Sequence, residues 1–162
     1  MTDDDRDRER DDGRDYLGIV RLQAAYGDTV TRRAWDEMAT LFDDEASVIV
    51  DTGRGEPIEA TGGAEIGDFI ARSIERFEFF EFVPLNTVVD IDATAGEAVG
   101  RLYIQELRQE AATGRFSTAY GLYRDRYRRR DGVWRFAARR YRSLARTAVE
   151  GDRDLEVLPP PD

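Results

Sequence analysis

The 162-residue chain contains no cysteine and no histidine, and all 24 of its basic residues are arginine. Without cysteine, disulfides and thiolate metal ligands are excluded. Without histidine, the commonest acid/base residue and the commonest metal ligand are gone. Without lysine, no side-chain amine can form a Schiff base. Acid/base work is left to Asp, Glu, Tyr and Arg. The sequence has no metal-ligand cluster, glycine-rich phosphate loop or nucleophile elbow, so neither a metal nor a cofactor is expected. Gly53-Arg54-Gly55 is too short for a phosphate loop and reads as a turn. No apolar run reaches membrane-spanning length. The N-terminus is acidic, unlike a secretory signal. The expectation is a cytoplasmic protein with no membrane partner.

What the chain does have is unevenly placed charge. Residues 1–14 carry seven acids against four arginines, and residues 150–162 carry five acids against one arginine, which accounts for most of the net charge of −10. Residues 124–146 reverse this, with ten arginines against two aspartates. The overall negative sign argues against nucleic acid as a partner. Arg128-Arg129-Arg130 reads as a solvated turn. The ends read as a disordered acidic tail (1–14) and an acidic, proline-rich tail (148–162), flanking one domain over 15–147.

Helical spacing of Ile19, Leu22, Gln23, Tyr26 and Val30 predicts a first helix from Asp15, with Asp15 as its N-cap. A short second helix follows over Trp35–Phe42, and a third over Ala64–Phe77. Strands are expected at 47–51, near 58–60, through 78–92 with Pro84 at an edge or bulge, and at 97–109. The longest strand signal is a hairpin over 116–146 that turns at Asp131-Gly132, a pair suited to positive φ. The pattern is α+β, with helices covering a curved antiparallel sheet and a cavity between them.

Counting from that turn pairs Tyr127 with Phe136, Asp125 with Ala138 and Tyr123 with Arg140. If Tyr103 pairs with Gly121, Arg101 lies opposite Tyr123. One face then gathers Arg101, Tyr103, Tyr123, Asp125, Tyr127 and Arg140 as a polar pocket floor. The other carries Leu102, Ile104, Tyr120 and Leu122 as an apolar dimer face. A one-residue slip exchanges the two faces. On this floor Asp125 is a candidate general base, and Tyr103 or Tyr123 a donor to a developing enolate. Arg140 or Arg101 would hold a substrate carboxylate or phenolate, and Asn86 a carbonyl. The plainer reading makes Asp125 a cross-strand ion-pair partner of Arg101 and Arg140, with a lowered pKa. Asp51, ending the first strand, is placed either at the pocket mouth or in a turn.

The stretches AAYGDTVTRRAWDEMATLFDDEASV and YRDRYRRRDGVWRFAARRYR carry a resemblance. They resemble the SnoaL-like branch of the NTF2-like superfamily over residues 15–146. The resemblance implies a cone-shaped α+β barrel with three N-terminal helices on a curved antiparallel sheet, a deep apolar pocket and a homodimer through the sheet. It also implies dehydratase, isomerase or cyclase chemistry on hydrophobic, oxygenated cyclic substrates. In dehydratase-like members an Asp four residues before the helix-2 tryptophan pairs with a strand His. Thr31 and Phe82 stand at those two positions here. Tyr26, an aromatic common on this helix, is retained, and Asp28 is the nearest acid. Two functions follow: a metal-independent acid/base enzyme, or a non-catalytic ligand-binding or assembly module that has lost the pair.

Overall fold

The computed structural model describes residues 3–147 and 154–159, with side chains from residue 12. Helix α1 (Asp3–Arg32) buries Ile19, Leu22, Gln23, Tyr26 and Val30, the stripe that the spacing predicts. It begins at Asp3 rather than Asp15, so the segment read as a disordered tail carries helix from Asp3 on. Three aspartates head it, at the end where the helix dipole favours negative charge. Asp15 is therefore not an N-cap. It is buried inside the helix, and its carboxylate accepts hydrogen bonds from Arg129 Nη1 at 2.6 Å and Trp134 Nε1 at 2.9 Å. This clamps α1 to the C-terminal hairpin.

Helix α2 (Trp35–Met38) is a single turn followed by a 3-10 turn over Ala39–Leu41, shorter than the helix expected there. Strand β1 (Phe42–Asp51) and strand β2 (Ile58–Thr61) precede helix α3 (Gly63–Ile74). The remaining strands are β3 (Phe77–Pro84), β4 (Val88–Asp92), β5 (Glu97–Glu110), β6 (Phe116–Arg130), β7 (Val133–Thr147) and β8 (Leu155–Val157). Strand β8 pairs with β7 inside the segment expected to lack regular structure; 148–153 and 160–162 lie outside the described residues.

The sheet order is β2-β1-β7-β6-β5-β3, with β4 also on β5 and β8 also on β7. Strands β1 and β7 run parallel, so the sheet is mixed rather than antiparallel. It does not close on itself: β2 and β3 end the main path among the described residues, and β4 and β8 each pair with one strand only. Helix α3 follows two strands, so the helices are not all N-terminal. The extended run 78–92 is two strands that share one edge of β5, broken after Pro84. At the break the Tyr103 N–H has no strand partner, and Asn86 Oδ1 accepts it at 2.9 Å.

The hairpin turn is where the sequence places it, with Asp131 at φ 52° and Gly132 at φ 76°. Arg130 pairs with Val133 and Tyr127 with Phe136. The register then shifts by one, leaving Ala137 without a partner, so Asp125 pairs with Arg139 and Tyr123 with Tyr141. A second shift passes over Leu144. The β5–β6 register is also one residue from the expected one: Arg101 pairs with Arg124, and Leu102 with Tyr123. Leu102 and Ile104 therefore face the core, not a dimer partner. Arg101, Tyr103 and Arg140 lie exposed on the outer face.

Candidate active site

Successive rows of partnered residues build the inner face of β5, β6 and β7. One row is Gly100, Asp125 and Arg139; the next is Leu102, Tyr123 and Tyr141. Then come Ile104, Gly121 and Ser143, and last Glu106, Ala119 and Arg146. Gly121 is required by close approach, since a Cβ there would lie 2.1 Å from the Tyr141 ring. The Tyr141 ring thus lies directly over the backbone of β6.

The first row is sealed. Arg139 Nε and Nη2 donate to the two Asp125 carboxylate oxygens at 3.0 and 3.1 Å, and both side chains have 0% exposure. The guanidinium is also packed against the rings of Tyr123, Tyr26 and Phe136, at 3.9, 4.1 and 4.1 Å. Tyr127 donates to Asp125 at 2.9 Å, Gln23 Nε2 to the Tyr127 oxygen at 2.7 Å, and Thr87 to Gln23 Oε1 at 2.6 Å. Asp125 was expected between Arg101 and Arg140 with a lowered pKa. Instead burial pushes its carboxyl up, opposed by the charge and hydrogen bonds of Arg139. Arg139 keeps its charge, and its fork covers both Asp125 oxygens. With every carboxylate oxygen engaged, Asp125 has no lone pair facing open space.

Open space begins on the other side of Tyr26 and Tyr123. A cavity of about 210 Å3 lies between the sheet, α1 and α3. Its walls are mostly apolar, including Val30, Val48, Val50, Ile70, Phe80 and Phe82. Its polar groups are Tyr26, Tyr123, Tyr141, Thr52, Ser73, Ser143 and Glu106, with Arg76, Arg108 and Arg146. Glu106 is the only carboxylate on the wall among the described residues. Burial raises its pKa, with the Arg108 charge opposing. Its side chain keeps only 17% exposure, and desolvation is the main cause of the rise. Burial raises Tyr26, Tyr123 and Tyr141 too, and each feels the charge of Glu106. Glu106 therefore stands among three phenols that stay protonated at neutral pH.

Of the residues singled out in the sequence, Tyr26, Tyr123 and Phe82 line this cavity. Thr31 does not: it is exposed, and its hydroxyl accepts the Phe82 backbone N–H at 3.1 Å. The two positions of the dehydratase pair are thus neighbours, but only Phe82 reaches the cavity. Asp28 is exposed and bonded to Arg32 at 2.8 Å. Asp51 pairs with Arg142 and accepts the Gly53 N–H, a turn role, and those contacts hold its carboxyl low. Asn86 serves the β3–β4 break, away from the cavity. Glu106, Arg108, Arg139, Tyr141 and Arg146 were not anticipated. An acid and a base at 106 and 108, continuing the inward alternation of Leu102 and Ile104, were the available signal.

A model of the SnoaL-like domain matches residues 12–140. The chain belongs to the SnoaL-like family. No curated protein matches this SnoaL-like chain in sequence. Among solved structures, a candidate scytalone dehydratase from Novosphingobium aromaticivorans superposes with a TM-score of 0.77 at 18% identity, over 95% of this chain and 99% of that one. The hexachlorocyclohexane dehydrochlorinase LinA-type3 from Novosphingobium barchaimii gives 0.76 at 21%, over 94% and 99%. An NTF2-like protein with a cystatin-like fold from N. aromaticivorans gives 0.67 at 21%, over 80% and 82%. At such identities the likeness is one of fold. No helix among the described residues is long and apolar enough to cross a membrane, and no group of three or more acidic residues there is arranged to hold a metal.

Proposed function

We propose that this SnoaL-like chain is an acid/base enzyme in which Glu106 moves a proton of a small, hydrophobic, oxygenated cyclic substrate. The observation that carries this is one desolvated carboxylate, whose charge is felt by three phenols, on the wall of a mostly apolar cavity. Glu106 is the proton acceptor, and Tyr141 or Tyr123 donates to the oxygen where charge develops. Dehydration and dehydrochlorination, the activities in the names of two fold relatives, are both eliminations that need a base for a C–H proton. The reaction is thus proposed as an elimination or the related isomerisation or cyclisation. An apolar cavity of about 150 Å3 admits one benzene ring. A cavity of about 210 Å3 then suits a substituted single ring rather than a polycyclic one.

A second reading is a ligand-binding module without turnover, favoured by Thr31 and Phe82 at the positions of the dehydratase pair. A homodimer through the outer sheet face is likewise proposed. Screening single-ring β-hydroxy and β-halo carbonyl compounds for turnover separates the two readings. Glu106→Gln is expected to keep binding and to lose at least about 100-fold in kcat. Unchanged kcat in that variant would remove Glu106 from the chemistry, and binding without turnover of any hit would favour the module.

A further inference from the structure

We infer that the cavity takes an anionic substrate, a single-ring molecule whose carboxylate is held between Arg108 and Arg146. This rests on the cavity being the substrate site. Among the described residues, the charged side chains on its wall are Arg76, Arg108 and Arg146 against Glu106. Widening the view adds Glu156, whose carboxylate is 3.5 Å from Arg146 Nε, and Arg54, which holds Glu156 at 2.8 Å. Positive charge remains in excess in a largely apolar space, where counter-ions from bulk solvent screen poorly.

The protein leaves these guanidiniums incompletely used. Glu106, Ala119 and Arg146 form one row across three strands. At about 4.8 Å per strand, the backbones of Glu106 and Arg146 are about 10 Å apart, with only the Ala119 methyl between them. Glu106 and Arg108 approach to 3.6 Å, short of a hydrogen bond. Arg146 Nη2 donates to the Thr52 carbonyl at 2.6 Å, which fixes the guanidinium in place. The Nε atoms of Arg108 and Arg146 are both buried without a hydrogen-bond partner. Arg108 and Arg76 both lie over the Phe77 ring, at 5.5 and 4.8 Å, which holds them without consuming a donor. Buried donors left unmade are costly, and a planar anion is the acceptor that guanidinium forks fit. A carboxylate over Ala119 would meet both forks, leaving the ring against Ile70 and Phe80 and within reach of Glu106.

The test compares matched ligands by calorimetry at neutral pH: benzoate with benzamide, and cyclohexanecarboxylate with cyclohexanecarboxamide. Wild type is expected to prefer each carboxylate by at least about tenfold, the worth of one charge-assisted hydrogen bond. Arg108→Gln and Arg146→Gln are expected to bring the ratio towards one without abolishing amide binding, with thermal unfolding checking that each variant folds. Equal or tighter binding of the amides by wild type overturns the inference while leaving the cavity as the substrate site. Binding of neither class overturns both. A carboxylate preference that survives the double variant places the anion elsewhere, such as the exposed row Arg101, Arg124 and Arg140, and also overturns it.

Discussion

Asp125 and Glu106 are two carboxylates on one sheet face with opposite fates. Asp125 has two donors from Arg139 and one from Tyr127 and is consumed by them. Removing one partner of a fully buried pair strands the other charge, so Asp125→Asn is expected to cost about 3–5 kcal/mol in urea unfolding. Replacing the pair, Asp125→Leu with Arg139→Met, is expected to recover most of that loss, because neither charge is then buried. If the double variant is no more stable than the single one, the pair is not the reason for the loss. Glu106 shows the reverse balance. Its folded pKa lies above the unfolded one because burial disfavours the charged form. The stability linked to it is therefore fully present below the unfolded pKa and lost as pH rises through the folded one. Glu106→Gln removes that loss. The variant is expected to match wild type near pH 4 and to melt a few degrees higher near pH 8. Equal melting temperatures at both pH values would mean that the carboxylate is not desolvated.

At the scale of the element, one unpaired alanine decides which arginine goes inside. Passing over Ala137 turns Arg139 inward and Arg140 outward. Inserting one further alanine after Ala137, with the bulge kept at one residue, is expected to set Arg139 opposite Arg124 on the outer face and Arg140 opposite Tyr123 with Asp125 left unpaired, and so to abolish cooperative unfolding and the near-UV circular dichroism signal. A stable, cooperatively folded insertion variant would show that the hairpin can absorb the extra residue and re-register. The same alanine explains what the sequence leaves hidden. The turn at Asp131-Gly132, the α1 stripe and the long strands β5, β6 and β7 are local signals and legible, whereas β8 is not, and β3 and β4 read as one run. Bulges are set by packing of the finished sheet, here by how Tyr141 fits on Gly121 and Arg139 between aromatic rings, and no short window encodes that. Each one-residue error exchanges whole faces. Asp125 and Tyr123 stayed on the inner face, whereas Arg101, Tyr103 and Arg140 were placed on the wrong side and Glu106 was missed.

For the whole molecule, the charge segregation visible in the sequence acquires a geometry. The hairpin arginines are distributed in depth: Arg139 in the core, Arg146 on the cavity wall, Arg124 and Arg140 outside, and Arg129 clamping α1 through Asp15. The long hairpin is thus the spine to which helix, cavity and outer face are fastened. The C-terminal strand β8 adds Glu156 at one end of this spine, where it touches both Arg146 and Arg54.

The cationic groups of the cavity are all guanidiniums, and its phenols are all shifted upward. Between about pH 5 and 9 neither kind changes charge. Among the described residues, Glu106 is the one group on the cavity wall left to titrate. Turnover measured as kcat/KM against pH is therefore expected to rise through a single step and then stay flat, with no alkaline limb. A bell-shaped profile would mean that a second titrating group, from the substrate or from outside the cavity, takes part. The cavity works as a compartment with one pH dial, and the dial is the carboxylate of Glu106.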